Sequence, residues 1–339
     1  MASLSVKYRP TTFEECCGQK SVIRILSRQV EGGNPSNCYL FCGPSGTGKT
    51  TLARIFASRV NGGLGTPIEV DGASNNGVDN VRGIIESARE RAVDAKYKCF
   101  VIDECHAITS AGWQAFLKSI EEPPKYTIFI FCTTDPQKIP ATILNRVMRL
   151  NLSKVPTNSI RDRLRYICAQ EGFENYDEAC DYIAKLAAGG VRDAISMLEK
   201  CSRYSTDLSI GNVLESLGNC SYESFFGLTN ALLDHDDAKI VSTVEEYYAA
   251  GNDIRLFADQ YMNFALDLTK YCIFKSVAAT KLPSSYEKEL IYVTGADECD
   301  NTDYFRELTN KLLRIKNMLK GDPNAKTTLI VSLLNLGKL

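Results

Sequence analysis

The chain has 339 residues, of which 44% are hydrophobic and 24% charged, with a formal net charge of −2 at pH 7. Those values fit a soluble globular protein of two or three domains and exclude a globally basic surface for nucleic acid, so any DNA contact would use a local patch or an assembly. No apolar run approaches the roughly 18 residues a membrane span needs, and no signal peptide opens the chain, so a cytoplasmic protein without a membrane partner is expected.

The thirteen cysteines are scattered. Cys38, Cys42, Cys99 and Cys132 sit in apolar runs, where a reduced thiol behaves as a small hydrophobe. The adjacent Cys16 and Cys17 make a poor metal site, no pair with ligand spacing completes a zinc knuckle, and the only histidines are His106 and His235. A structural metal is therefore not expected, and a reducing compartment is.

In chain order, Lys7-Tyr8-Arg9-Pro10 and Gly18-Gln19 precede a helix patterned by Val22, Ile25 and Leu26 and ended by Gly32-Gly33-Asn34-Pro35. Cys38 to Cys42 reads as a buried strand. It runs into Gly43-Pro44-Ser45-Gly46-Thr47-Gly48-Lys49-Thr50, followed by a helix from Thr51 with Leu52, Ile55, Phe56 and Val60 on one face. Between a strand and a helix, G-x-x-x-x-G-K-T reads as a P-loop. Glycines let backbone amides turn around a phosphate and the helix N-terminus adds positive charge. Lys49 would reach the β- and γ-phosphates, the Thr50 hydroxyl would bind Mg²⁺, and Thr51 completes the cradle.

A short strand at Pro67–Val70 and a polar turn lead to a helix over Asp79–Ala92, with Asp79 or Asn76 as its cap. The strand Cys99–Glu104 delivers Asp103 and Glu104 to its C-terminal end, where open parallel sheets bind ligands. Asp103 would hold the Mg²⁺ shell and Glu104 would orient and deprotonate a water. Two buried carboxylates without a cation would be costly. A helix over Trp113–Glu121 stops at Pro123-Pro124, and the strand Tyr126–Thr134 ends in two hydroxyls that could meet a γ-phosphate. After a short helix at Ala141–Arg146, Val147–Leu152 is a fifth strand. Apolar strands alternating with helices imply a parallel sheet covered on both faces.

Beyond Val155-Pro156 helical patterns dominate: Ser159–Gln170, Asp177–Ala188, Val191–Lys200, and longer stretches from Tyr222. Arg192 opens the third of these and could reach back over a nucleotide. Gly218-Asn219 reads as a boundary, and Lys281–Ser285 and Gly295–Asn301 as loops.

These residues together resemble AAA+ ATPases, and within them the clamp-loader branch. The similarity is to motor subunits of the gamma/tau type from the bacterial DNA polymerase III clamp loader. It is carried by Lys7-Tyr8-Arg9-Pro10, Gly18-Gln19, Gly43 to Thr50, Asp103-Glu104-Cys105-His106, Glu121-Glu122-Pro123-Pro124, Thr133-Thr134-Asp135-Pro136-Gln137-Lys138, Asn145-Arg146 and Gly190 to Ala194. The resemblance implies a nucleotide-binding α/β domain with a five-stranded parallel sheet over 1–154, a helical lid over 155–218 and an all-α collar over 219–339, through which subunits would oligomerise. It implies ATP and Mg²⁺ as ligands. The partners it implies are other loader subunits in a pentameric spiral with several copies of this chain, a sliding clamp and primer-template DNA.

By the same resemblance Tyr8, Arg9 and Pro10 would line the adenine pocket, Thr134 would sense phosphate from the strand end, and Arg192 would sense it from the lid. Arg146 would be an arginine finger acting in trans, a role worth ~10³–10⁵ in rate. DNA would meet Ser74, Asn75, Asn76 and Gly77 with Arg82, and Thr109-Ser110, through amides and small hydroxyls suited to phosphate tracking.

Three departures are visible. Asn61 to Thr66 carries no cysteine where the family has a four-cysteine zinc module, so zinc is not expected. Asn145-Arg146-Val147 replaces Ser-Arg-Cys. The sequence ends within the collar, short of the polymerase-binding extension of tau forms, which suits a phage-encoded or divergent loader. The alternatives are another AAA+ motor of branch-migration or initiator type, expected to end in a winged helix with a strand hairpin; a non-hydrolysing stator, expected to lose Lys49 or the acidic pair; and a small-molecule P-loop kinase, which would need neither Arg146 nor a collar.

Overall fold

The computed structural model describes residues 3–218, 220–295 and 301–336. Asn219 of the expected boundary and residues 296–300 of the expected loop lie outside the described residues. Contacts divide the chain into two compact units, Met1–Ile167 with Ala187–Glu199, and Cys168–Leu186 with Lys200–Leu339. The helices expected to form a separate lid are thus shared between the units.

The first unit begins with α1 (Leu4–Lys7) and α2 (Lys20–Glu31). It continues through β1 (Cys38–Cys42), α3 (Lys49–Val60), β2 (Ile68–Asp71), α4 (Val78–Arg89), β3 (Lys98–Asp103), α5 (Ser110–Glu121), β4 (Thr127–Thr133), α6 (Ala141–Leu144) and β5 (Met148–Asn151). Of the next three helices, α7 (Thr157–Glu171) and α9 (Val191–Tyr204) begin in this unit, while α8 (Tyr176–Leu186) belongs to the second.

The five strands form one sheet in the order β2-β3-β4-β1-β5, and every pair is parallel. Side chains alternate between its faces, as a period of two requires. Tyr39, Phe41, Val101, Ile128 and Ile130 pack on one face with Val22 and Leu26 of α2 and Leu52, Ile55 and Phe56 of α3. Leu40, Phe100, Ile102, Phe129 and Phe131 pack on the other with Val81 of α4 and Trp113, Phe116 and Ile120 of α5. On that second face Phe131 lies with its ring centre 5.2 Å from Trp113 and 5.5 Å from Phe116. Because β1, β3 and β4 are covered on both sides they read as near-continuous apolar runs. The edge strands do not: β2 leaves Ile68 and Glu69 exposed, and β5 buries only Leu150. The expectation of strands apolar throughout fails at these edges, where one neighbour is missing.

Two local expectations are corrected. The N-cap of α4 is Gly77, and neither Asp79 nor Asn76 caps it with a side chain. The Asn76 carbonyl instead accepts from the Thr109 amide and hydroxyl at 3.1 Å each. And α5 starts at Ser110, three residues before the first large apolar side chain, because Thr109 caps it by accepting from the Gly112 amide.

The second unit is helical, with no β-strand among its described residues. After α8 and the end of α9 come α10 (Ile210–Leu217), α11 (Tyr222–Leu233), α12 (Asp237–Ala249), α13 (Ile254–Phe274), α14 (Glu287–Thr294), α15 (Thr302–Met318) and α16 (Ala325–Leu336). Its spine is α13, which turns Phe257, Tyr261, Phe264 and Leu268 inward at helical spacing and packs on α15 through Phe305, Leu308 and Leu312. Asp267, only 4% exposed, is held by Lys270 at 2.8 Å and by the Lys281 amide at 3.2 Å. No described helix is long and apolar enough to cross a membrane.

Phe131 is fully buried between two aromatic neighbours. Phe131→Ala should cost about 3–5 kcal/mol in urea denaturation, whereas Val93→Ala, at a fully exposed position, should stay within about 0.5 kcal/mol of the parent.

Candidate nucleotide-binding site

At the carboxyl end of β1 the chain turns into the Gly43–Thr50 loop. The Gly43 amide donates to the Thr133 carbonyl at 3.2 Å, and the Leu152 amide donates to the Cys42 carbonyl at 2.7 Å. A Cβ on Gly43 would lie 2.5 Å from the Leu152 carbonyl oxygen, a separation no side chain tolerates. Gly46 and Gly48 then take left-handed conformations, with φ of 71° and 97°, which curl the loop at little steric cost. The loop is braced from outside. The Val191 amide at the start of α9 donates to the Gly46 carbonyl at 3.0 Å. The Gln19 side-chain amide donates to the Ser153 carbonyl at 2.6 Å and to the Thr47 carbonyl at 3.4 Å, and accepts from the Ser153 amide at 3.2 Å. Lys49, 7% exposed, folds back onto the Gly43 and Pro44 carbonyls at 2.9 and 3.0 Å.

The acidic pair stands opposite. The Thr50 hydroxyl donates to Asp103 Oδ2 at 2.7 Å, and Asp103 Oδ1 accepts from the Glu104 amide at 3.0 Å. Glu104 sits at φ 45° and ψ 40°, a left-handed conformation that costs a non-glycine residue about 1–3 kcal/mol. Its carboxylate takes the Thr134 hydroxyl at 3.3 Å on Oε2, and His106 Nδ1 lies 3.3 Å from the same oxygen. Thr134 therefore reaches the site through Glu104.

A cavity of about 340 Å³ opens between these groups, within the roughly 300–1,000 Å³ of small-molecule sites. Ser45 to Thr51, Asp103, Glu104, Tyr8, Arg9, Pro10 and Arg192 all line it. Gly43 and Pro44 contribute the carbonyls that hold Lys49. Arg163 donates to the Tyr8 carbonyl at 2.6 Å and fixes that corner.

Several lining residues escaped the sequence reading. Arg54 and Glu69 form an ion pair in the wall; an acid inside a short strand was the available signal for Glu69. Cys16 and Cys17 line the wall too. Burial pushes the Cys16 thiol up to about 12, with the neighbouring Cys17 and Glu15 adding to the shift, and burial raises Cys17 as well. Both are protonated at neutral pH. Burial lowers the Arg9 guanidinium, as do the charges of Arg54 and Arg192, against the opposing pull of Glu69. Cations crowded this way around a cavity favour an anionic ligand.

Arg146 is elsewhere. It pairs with Glu121 at 2.8 Å and donates to the Thr142 carbonyl at 2.7 Å, outside the cavity of its own chain. The DNA candidates come from two segments that meet. The Thr109–Asn76 bonds tie the 74–77 loop to the start of α5. Within the loop Ser74 donates to Asp71 at 2.6 Å, and Arg82 pairs with Asp79 on exposed surface at 3.1 Å.

The residues fit a nucleotide with Mg²⁺. Gly43 leaves no room for a side chain, the left-handed glycines shape the cradle, and the Thr50 hydroxyl and an Asp103 carboxylate oxygen lie side by side as the hard donors Mg²⁺ prefers.

A family model described as DNA polymerase III, delta subunit, matches residues 66–156, and one described as DNA polymerase III clamp loader subunit, ATPase lid domain, matches residues 159–201. The chain is 32% identical over 286 residues to the DNA polymerase III subunit tau of Bacillus subtilis, covering 78% of this chain and 51% of that protein. It is 30% identical over 361 residues to Protein STICHEL-like 1 of Arabidopsis thaliana, covering 99% of this chain and 32% of that one. In fold it is similar to the RuvB Holliday junction branch migration motor of Thermotoga maritima, with a TM-score of 0.54 and 24% identity over 71% of this chain and 80% of that one. The chain spans about half the length, or less, of the curated relatives it matches. With the parallel sheet, the P-loop and the lid match in one chain, the protein belongs to the clamp-loader branch of the AAA+ ATPases.

Proposed function

We propose that this chain is the ATP-hydrolysing motor subunit of a clamp-loader assembly that opens a ring-shaped sliding clamp and places it on primer-template DNA. One observation carries the reading. The P-loop, Thr50, Asp103 and Glu104 converge on one cavity, while Arg146 is held outside it. That is half of a composite site, to be completed by the corresponding arginine of a neighbouring subunit.

In this reading the amides of Ser45 to Thr51 and the Lys49 ammonium, released from the Gly43 and Pro44 carbonyls, bind the phosphates of ATP. Tyr8, Arg9 and Pro10 enclose the base. Thr50 and Asp103 would hold Mg²⁺, which when bound neutralises charge on the phosphate oxygens. Glu104 takes a proton from the attacking water, with Arg192 following the γ-phosphate and Thr134 acting through Glu104. Several copies in a pentameric spiral, joined through the helical second unit, would line up the 74–77 loop, Arg82 and Thr109-Ser110 along DNA. The cytoplasm is the compartment this function requires.

A branch-migration motor shares the fold. The helices that make up the described residues beyond 220 are in keeping with the loader reading, and intact Lys49, Asp103 and Glu104 weigh against a stator.

Titration with a fluorescent ATP analogue should show Lys49→Ala weakening binding roughly 10- to 100-fold, the loss of a charge-assisted contact. In the assembly reconstituted with its partner subunits, clamp and primed DNA should stimulate hydrolysis; no stimulation would sink the loader reading. Arg146→Ala should lower that assembly's hydrolysis by about 10³-fold or more while leaving nucleotide binding by the isolated chain unchanged; unchanged hydrolysis would remove the trans role. Arg82→Ala should reduce the slope of log DNA affinity against log salt by about one per subunit in contact.

A further inference from the structure

The geometry points to His106 as a positioning residue that fixes the catalytic carboxylate of Glu104 through a proton carried on Nδ1. The inference rests on the hydrolytic reading of this site.

Glu104 and His106 leave the end of β3 in a left-handed residue followed by a 3₁₀ turn over Cys105–Ala107. That turn brings the imidazole, about a fifth exposed, back toward the end of β4. There Nδ1 has two neighbours at equal distance: Glu104 Oε2 at 3.3 Å and Thr133 Oγ1 at 3.3 Å. Thr133 is fully buried, and its hydroxyl oxygen already accepts from the Asp135 amide at 3.0 Å.

The position of one proton decides between two arrangements. With the proton on Nδ1, the ring donates to the second lone pair of Thr133 Oγ1 and holds its positive N–H edge beside Glu104 Oε2, a charge contact at the same distance. With the proton on Nε2, Nδ1 accepts from the Thr133 hydroxyl and turns a lone pair toward a carboxylate oxygen, which is repulsive. The carboxylate therefore favours the Nδ1–H form.

The catalytic consequence follows from which oxygen is engaged. The Thr134 hydroxyl and His106 both meet Oε2. Two restraints from different segments fix the plane of the carboxylate and leave Oε1 as the oxygen to accept a proton. His106 does not line the cavity, so its effect falls on the chemical step and not on nucleotide affinity.

The chain has two histidines, so ¹⁵N-histidine labelling gives two imidazoles, assigned with a His106→Asn variant. At about pH 8, ring ¹⁵N shifts should show His106 protonated on Nδ1. Glu104→Ala should move that proton toward Nε2. A bare Nδ1 in the parent chain, or a tautomer indifferent to Glu104→Ala, overturns the proposal. In the reconstituted assembly His106→Ala should lower kcat for ATP hydrolysis about tenfold with KM unchanged, the effect of one lost restraint on a positioned group. His106→Asn, whose amide nitrogen stands where Nδ1 stood, should recover most of it. An unchanged kcat in His106→Ala, or equal losses in the two variants, overturns it as well. If the parent assembly does not hydrolyse ATP at all, the proposed function fails, and the tautomer still decides whether His106 holds Glu104.

Discussion

The site depends on a collision avoided at Gly43. Its α-carbon is pressed so close to the Leu152 carbonyl that a methyl group has no place there. Its amide bonds to the end of β4, and the residue before it bonds to the chain leaving β5. Three adjacent strands are stitched together at the point where the chain leaves the sheet. This lets a loop of backbone amides keep a defined shape before any ligand arrives. The sheet supplies the rigidity, and the glycines supply the conformations that a rigid loop needs.

Charge explains what this cradle is built to receive. Lys49 rests on carbonyls, Arg54 on Glu69, and Arg9 is held near Arg54 and Arg192. These cations have makeshift partners that a polyphosphate would replace with stronger, charge-assisted contacts. Arg146 differs, because its partners Glu121 and the Thr142 carbonyl lie outside the cavity. Both side chains of the Arg146–Glu121 pair are about two-fifths exposed. Such ion pairs contribute only about 0–1 kcal/mol. An arginine so weakly held on its own surface costs little to release, as the proposed trans role would require.

Much of this was legible in the chain, for a physical reason. Strands covered on both faces must be apolar, so β1, β3 and β4 announce themselves, and a P-loop between strand and helix has few other readings. What was not legible is what depends on contacts distant in sequence. Nothing near Arg163 signals that it holds the Tyr8 carbonyl, and nothing near Val191 signals that its amide braces Gly46. Those same links lie in the stretches of α7 and α9 that group with the nucleotide-binding unit. The cap of α4 failed because the helix begins at Val78: Gly77 takes the capping position, Asn76 lies one residue before it and Asp79 inside the first turn. Cys16 and Cys17 looked inert as metal ligands, and composition cannot say that they wall a cavity.

The strained backbone at Glu104 shows how the two halves of the chemistry share one frame. A left-handed glutamate persists only if its surroundings over-determine it. Here the Asp103 carboxylate holds its amide, while Thr134 and His106 meet its carboxylate. Thr134 follows directly on Thr133, whose carbonyl anchors Gly43 and whose hydroxyl faces His106. The end of β4 therefore registers the Gly43–Thr50 loop on one side and the Glu104 carboxylate on the other. A shift of that strand end would move both together, so the separation of the Gly43–Thr50 loop from the Glu104 carboxylate is set by the sheet and not by either loop.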